Sequence, residues 1–324
     1  MPHVKDPILV HDWHPVAKAS DLDNGKVAQA RLLGEDLVLW SEGGKLHAWK
    51  DLCIHRGARL SLGKVAGGCL QCPYHGWLYD GSGCCVKIPA HPEQKPPARA
   101  RAVTYACREA YGLIWACLSE TPNALPVFPE WHLPGVRDFT MGPYTLESGG
   151  PRIIENFLDL AHLSVVHEGI LGIGDRGEIG RYTVETTPEG IHATDIVIWQ
   201  PDPDGSGSPG EAHYTYRVMR PLTAYLTKVA GGSRFTMMII ASPMDELHTN
   251  TWIVFSMQGI DTTPSDQLMY WMEKVFLQDK PVVQSQRPEL LPLDLQAELH
   301  LNCDRTSIAY RQWLRQLGVT FGTA

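Results

Sequence analysis

The chain has 324 residues, 44% of them hydrophobic and 20% charged, which is enough for a sizeable core and excludes a disordered or fibrous protein. Its formal net charge of -8 argues against nucleic acid or an anionic membrane as the main partner. No apolar run approaches the roughly 20 residues that span a bilayer, and the charged start lacks the apolar stretch of a signal peptide. The expectation is a reducing cytoplasm, with eight cysteines that serve as thiols or metal ligands rather than as a disulfide framework.

In chain order, the first third reads as short strands: LVLW (37–40), LHAWKDL (46–52), GCLQC (68–72), WLYD (77–80), CVKIPA (85–90), AVTYAC (102–107) and GLIWACL (112–118). Asp80-Gly81-Ser82-Gly83 is a hairpin turn signal, and the whole suggests a small β-sandwich or barrel. The stretch 121–150 is rich in Pro and Gly and reads as a connector. PRIIENFLDLAHLSVVHEG, from Pro151, has helical spacing, with Gly169 and Gly172 to end the helix. From about Arg181 to Ile260, IHATDIVIW, AHYTYRVM, TAYLTKVA, RFTMMIIAS and TWIVFSM fit a broad antiparallel sheet, interrupted by the loop PDPDGSGSPGE (201–211). Two helical patterns follow, over about 265–285, broken near Pro281, and over 304–317, with Asp304 as candidate N-cap. The organisation is α+β: an N-terminal all-β domain (1–120, core about 37–118), a connector (121–150), and an antiparallel-sheet catalytic domain flanked by helices (151–324).

Cys53, His55, Cys72 and His75 form two tight pairs, C-x-H and C-x-x-H, separated by sixteen residues. Zinc accepts two Cys and two His tetrahedrally; a Rieske [2Fe–2S] cluster takes both cysteines on one iron and both histidines on the other. Each pair here supplies one thiolate and one imidazole, which suits a binuclear cluster gripped between two loops, whereas zinc fingers more often pair like with like. Gly57 and Gly76 allow tight loops close to inorganic sulfide. CIHRG and CPYHGW resemble the two cluster-binding motifs of the Rieske family. Imidazole ligands place such a cluster at roughly -150 to +300 mV.

A one-electron donor implies an acceptor. In Glu155-Asn156-x-x-Asp159-x-x-His162-x-x-x-x-His167, the two histidines lie five apart, about 140° around an ideal helix, so the helix is expected to be distorted or to end there. Asp159 and His162 are i,i+3 neighbours within side-chain reach. Two His and one carboxylate with open positions make the facial triad of non-haem Fe(II) oxygenases. The best third ligand is Asp279 in FLQDKPVVQSQRP; Asp159 competes, and Glu273 and Asp294 are weaker.

The pattern N-x-x-D-x-x-H-x-x-x-x-H resembles the catalytic motif of Rieske non-haem iron oxygenases, α (terminal oxygenase) subunit, and the resemblance covers most of the chain. It implies a [2Fe–2S] Rieske cluster on Cys53, His55, Cys72 and His75, and mononuclear Fe(II) on His162, His167 and Asp279. Asp159 resembles the family's bridging aspartate, linking His162 to the cluster ligand His75 of a neighbouring subunit, and Asn156 a residue just behind the iron ligands. The resemblance further implies a homotrimer, O2 and a small-molecule substrate, and an NAD(P)H-dependent reductase, alone or with a ferredoxin. QDKPVVQSQRP resembles caffeine-type N-demethylases; AYRQWLRQLGVTFG, CPYHGWLYD and VKIPAHPEQKPPA are similar to saxitoxin-pathway hydroxylases. The expected activity is hydroxylation, or oxidative N- or O-demethylation, of a small polar, nitrogen-containing or aromatic molecule. LGIGDRGEIG (171–180) has no counterpart in that pattern and is expected to border the pocket. The competing readings are a Rieske electron carrier or redox sensor without oxygenase activity, against which the complete histidine motif and Asp279 argue, and a colourless zinc scaffold.

Overall fold

Alternation of apolar and polar residues makes strands through most of this chain, because each strand then buries one face and solvates the other. The computed structural model describes residue 4, residues 6–260 and residues 263–324; part of the charged start lies outside it. The fold divides between Leu125 and Pro126 into two units.

The first unit opens with one helical turn, α1 (Pro7–Val10). Its strands are β1 (His14–Lys18), β2 (Val27–Leu32), β3 (Glu35–Glu42), β4 (Lys45–Lys50), β5 (Lys64–Ala66), β6 (Cys69–Gln71), β7 (Leu78–Tyr79), β8 (Cys85–Lys87), β9 (Thr104–Ala110) and β10 (Leu113–Cys117). A six-stranded sheet runs β1-β10-β9-β4-β3-β2, and a small four-stranded sheet runs β5-β6-β7-β8. The β7–β8 turn is held by Asp80, whose Oδ1 accepts the N–H groups of Ser82 (2.9 Å) and Cys84 (3.1 Å). Trp40, Trp49, Leu60, Leu70 and Tyr79 bury Cys53 and Cys72 in one apolar cluster.

The second unit contains β11 (Arg137–Leu146), α2 (Gly150–Leu158), β12 (Thr183–Thr187), β13 (Gly190–Gln200), β14 (Gly210–Arg220), β15 (Thr223–Ala230), β16 (Ser233–Pro243), β17 (Thr249–Gln258), α3 (Ser265–Ser285) and α4 (Arg305–Leu317). One antiparallel sheet runs β11-β17-β16-β15-β14-β13-β12. Buried charges tie α2 to α4. Arg311 donates to both Glu155 oxygens (2.5 and 2.9 Å) and to Glu298, and Arg152 donates to Glu298 (2.7 Å). Both arginines are 2% exposed. Removing one partner from such a network costs about 3–5 kcal/mol, so the position of α2 is strongly fixed.

Four local expectations are corrected. The helix from Pro151 ends at Leu158 rather than near Gly169. Asp159 adopts an extended conformation and its Oδ1 accepts the N–H of Ala161 (2.8 Å), a side-chain bond that replaces the next helical one. The stretch 121–150 contains β11, an edge strand whose register shifts between Met141 and Tyr144, around Pro143; edge strands tolerate proline, which masks the strand pattern. α3 continues through Pro281, which removes one i→i−4 bond, because Val283 beyond it is buried and anchors the last turn. Asp304 occupies the N-cap position of α4 but turns back to accept the N–H of Leu301 (2.7 Å) instead of capping.

Candidate metal centres and active site

The loops β4–β5 and β6–β7 repeat one backbone device. In the first, Gly57 N–H donates to Cys53 O (2.9 Å) and Cys53 N–H to Ala58 O (2.8 Å); in the second, Gly76 N–H donates to Cys72 O (3.1 Å) and Cys72 N–H to Trp77 O (2.8 Å). The glycine four residues after each cysteine has positive φ, +73° at Gly57 and +68° at Gly76, which only glycine adopts without cost. The two differently spaced pairs therefore fold as one turn used twice. Cys53 and Cys72 are 1% and 2% exposed, while His75 is exposed and His55 half-buried. The two imidazoles meet edge to face with centroids 4.6 Å apart, and His55 stacks on Trp77 at 4.5 Å. Tyr79 Oη lies 3.1 Å from Cys53 Sγ, so the phenol donates once that sulfur is a thiolate. His55 Nδ1 is buried with no hydrogen-bond partner. Two buried sulfurs and two imidazoles at the rim, one with an unmet nitrogen, fit the donor set of a [2Fe–2S] cluster, which Cys53, Cys72, His55 and His75 would hold.

In the second unit the chain leaves α2 at Asp159 and passes through a 3-10 turn, Ala161–Ser164, that presents His162; His167 follows. α3 brings Asp279 to them. Asp279 Oδ1 lies 3.5 Å from His162 Nε2 and 3.2 Å from His167 Nε2. Each residue places one ligand atom within 4.8 Å of the other two. Asp279 Oδ1 is buried without a hydrogen-bond partner, as a ligand oxygen for an ion would be. The fit to a 2-His-1-carboxylate metal site is direct.

The neighbours fix the ring orientations. His167 Nδ1 lies 3.0 Å from Gln278 Oε1 and donates to it, which leaves the Nε2 lone pair toward Asp279. Asp159 Oδ2 is 3.4 Å from His162 Nδ1. Burial raises the pKa of Asp159, but bonds from His162 and from the N–H groups of Ala161 and His162 outweigh it and hold the carboxyl below its ordinary value. Of the weaker candidates, Glu273 is exposed and accepts the Tyr144 hydroxyl (3.2 Å), and Asp294 is exposed and accepts the Gln296 N–H (3.0 Å). Neither is in the triad. His132, His192, His213 and His248 are exposed.

His162, His167 and Asp279 line a cavity of about 700 Å³ walled by α2, α3 and the inner face of the sheet. Asn156 lines it from α2, and Leu171 is the one residue of LGIGDRGEIG that does. The loop after β13 contributes Asp202 and Asp204 opposite Lys228. Burial pulls the Lys228 pKa from 10.5 down to about 8, with Asp202 and Asp204 opposing. Gln278 and Lys228 carried no recognisable signal in the sequence. Gln278 is visible only as the residue before Asp279, and Lys228 only as a charge breaking an apolar strand.

Residues 12–106 match the Rieske [2Fe-2S] domain, and residues 147–320 match the vanillate O-demethylase oxygenase C-terminal domain. The chain is 33% identical over 327 residues to the methylxanthine N1-demethylase NdmA of Pseudomonas putida, covering 95% of this chain and 89% of that one. The structure of NdmA from Pseudomonas putida CBB5 with caffeine superimposes with a TM-score of 0.84 at 31% identity, covering 95% of this chain and 90% of that one. Over 116 residues, 35% of this chain and 20% of the other, it is 43% identical to the oxidoreductase NdmD of Pseudomonas putida. Dicamba monooxygenase bound to dicamba shares the fold, with a TM-score of 0.81 at 23% identity over 95% of this chain and 97% of that one. The cofactors of this two-domain arrangement are a [2Fe–2S] cluster and a mononuclear iron, and both donor sets fit them. The chain belongs to the Rieske non-haem iron oxygenases, as a terminal oxygenase.

Proposed function

We propose that this oxygenase acts on a small, planar, N-methylated heterocycle and removes a methyl group as formaldehyde. The observation that carries the proposal is that the His162–His167–Asp279 triad opens directly into a largely apolar cavity of about 700 Å³. Full-length similarity to a methylxanthine N1-demethylase supports the choice of substrate class. Cys53 and Cys72 would hold one iron of the cluster, His55 and His75 the other, and His162, His167 and Asp279 the mononuclear iron. When bound, the cluster supplies single electrons and the mononuclear iron activates O2. The chain does the rest. Gln278 keeps His167 in the tautomer that ligates through Nε2. The apolar walls exclude water and hold the methyl group at the triad. With O2, two electrons and two protons, one oxygen atom enters a C–H bond and the other leaves as water; the N-hydroxymethyl product then splits into amine and formaldehyde.

Electrons come from a separate NAD(P)H-dependent reductase, and the working form is a homotrimer. Asp159 would connect His162 to the partner subunit's His75, the exposed rim of the neighbouring cluster. An exposed His75, and an Asp159 carboxyl held below its ordinary pKa beside His162, support this route.

Lys228 favours a second reading, an O-methylated aromatic carboxylate, since a cationic lysine in the cavity would pair with the anion. The two readings separate on formaldehyde release with O2, NADH and a reductase. Caffeine is expected to yield formaldehyde with a KM independent of pH between 7 and 9. If vanillate is the substrate instead, its KM is expected to rise as the pH passes about 8, where Lys228 loses its proton. Oxygen-dependent formaldehyde from neither compound would contradict the demethylase reading.

A further inference from the structure

We infer that the hydroxyls of Tyr214 and Tyr216 are the recognition donors of this cavity, and that they select planar ligands bearing carbonyl or ring-nitrogen acceptors along one edge. The inference deepens the demethylase reading and rests on it for what is turned over, not for what binds.

Tyr214 and Tyr216 are i and i+2 on β14, so both side chains leave the same face of the sheet, and both line the cavity. They are 5% and 3% exposed, with rings 18° from parallel and centroids 6.0 Å apart. Two phenols held side by side present two hydroxyls in a row.

The proton of each is directed by its surroundings. Gln200 is fully buried, and its amide nitrogen donates to Tyr214 Oη (2.8 Å) and to Leu171 O (3.1 Å). The opposite amide orientation would set two carbonyl oxygens against each other at Leu171. Tyr214 Oη therefore accepts from Gln200, and its own O–H remains to donate into the cavity. Tyr216 meets α2 by ring contact, edge-on to Phe157 with centroids 5.5 Å apart. Its hydroxyl makes no hydrogen bond to any described residue. The hydroxyl therefore faces the space of the cavity, where it is left to water, and a ligand acceptor placed there takes the place of that water. Burial, then Tyr214 and the Asp159 carboxylate, push the Tyr216 pKa far above a phenol's ordinary value, so it is a donor throughout the neutral range.

The register supplies the flat surface. Tyr216 pairs with Leu226, and Leu226 with Met237, giving a row of apolar side chains across β14, β15 and β16 on the cavity wall. A flat ring lying on Leu226 and Met237 turns one edge toward the two hydroxyls. The Asp159 carboxylate, 3.4 Å from His162 Nδ1, is close enough to act electrostatically on Tyr216, which puts this end of the strip on the triad's side.

The test is equilibrium binding to the iron-loaded holoenzyme, with caffeine as the acceptor-bearing probe and 1-methylindole as a flat, N-methylated probe without such acceptors. Tyr214→Phe and Tyr216→Phe keep the rings and remove only the hydroxyls. Each is expected to weaken caffeine binding about fivefold or more, in line with the loss of one neutral hydrogen bond, while 1-methylindole binding, melting temperature and iron content stay unchanged. Caffeine bound equally by wild type and both variants overturns the inference. So does equal loss of both probes, which would mean a change of cavity shape, and so does a wild type that does not bind caffeine at all. Formaldehyde is scored separately. Tyrosine-dependent caffeine binding without formaldehyde sinks the demethylase reading and leaves this inference standing; formaldehyde with tyrosine-independent binding does the reverse.

Discussion

Asp279→Ala is expected to purify with its cluster spectrum intact and its mononuclear iron lost. The expected iron content falls from about three to about two per chain, and turnover falls on the order of 100-fold or more. Asp279 Oδ1 is the oxygen that faces both histidine Nε2 atoms, and no other carboxylate joins that group among the described residues. The same oxygen is buried without a hydrogen-bond partner, so in the metal-free chain it stabilises nothing locally except the nearby imidazoles. In the metal-free chain its local partners are the two imidazoles, so the metal-free protein should still fold, with a melting temperature within a few degrees of wild type. That combination, iron lost without loss of stability, separates a ligand from a structural residue. Unchanged mononuclear iron in Asp279→Ala would move the third ligand to another carboxylate.

Asp159→Asn is expected to keep both iron sites and a cluster that dithionite reduces normally, while product formation falls about 10–100-fold, the usual range for a group that orients a metal-bound histidine. The substitution conserves shape. An asparagine oxygen can still accept the Ala161 N–H that ends α2, so the backbone at His162 should hold. What is lost is the negative charge 3.4 Å from His162 Nδ1. Because the wild-type carboxyl is held below its ordinary pKa, it is ionised across the working pH range, and the defect should not be rescued by raising the pH. Single-turnover assays on the reduced protein check this. Near-wild-type product formation would remove Asp159 from the electron route.

The parts of the site legible in the sequence are those set by local spacing. Cys53 to His55 and Cys72 to His75 lie within single turns, so their pairing into two loops was readable residue by residue. Their shared backbone turn was not, because the spacings differ and only the glycine four residues after each cysteine reveals it. The end of α2 was hidden in a different way. Apolar residues keep helical spacing past Asp159, and a single side-chain bond to Ala161 overrides that pattern. Asp279 could be singled out as a candidate, but Gln278, which orients His167, is defined only by tertiary contact across 111 residues. Alternation on β14 puts Tyr214 and Tyr216 on one face and His213 and Thr215 on the other. Which face lines the cavity is fixed by the Tyr216–Leu226 pairing with β15, information held by the sheet rather than by either strand.

The most direct test of the account is the content of iron, zinc and acid-labile sulfide per chain on anaerobically purified protein, with the spectrum of the reduced form. About three iron and two sulfide per chain are expected, with a Rieske-type spectrum. Zinc without sulfide would contradict both centres, and two iron with two sulfide that does not rise when Fe(II) is added back would contradict the His162–His167–Asp279 site.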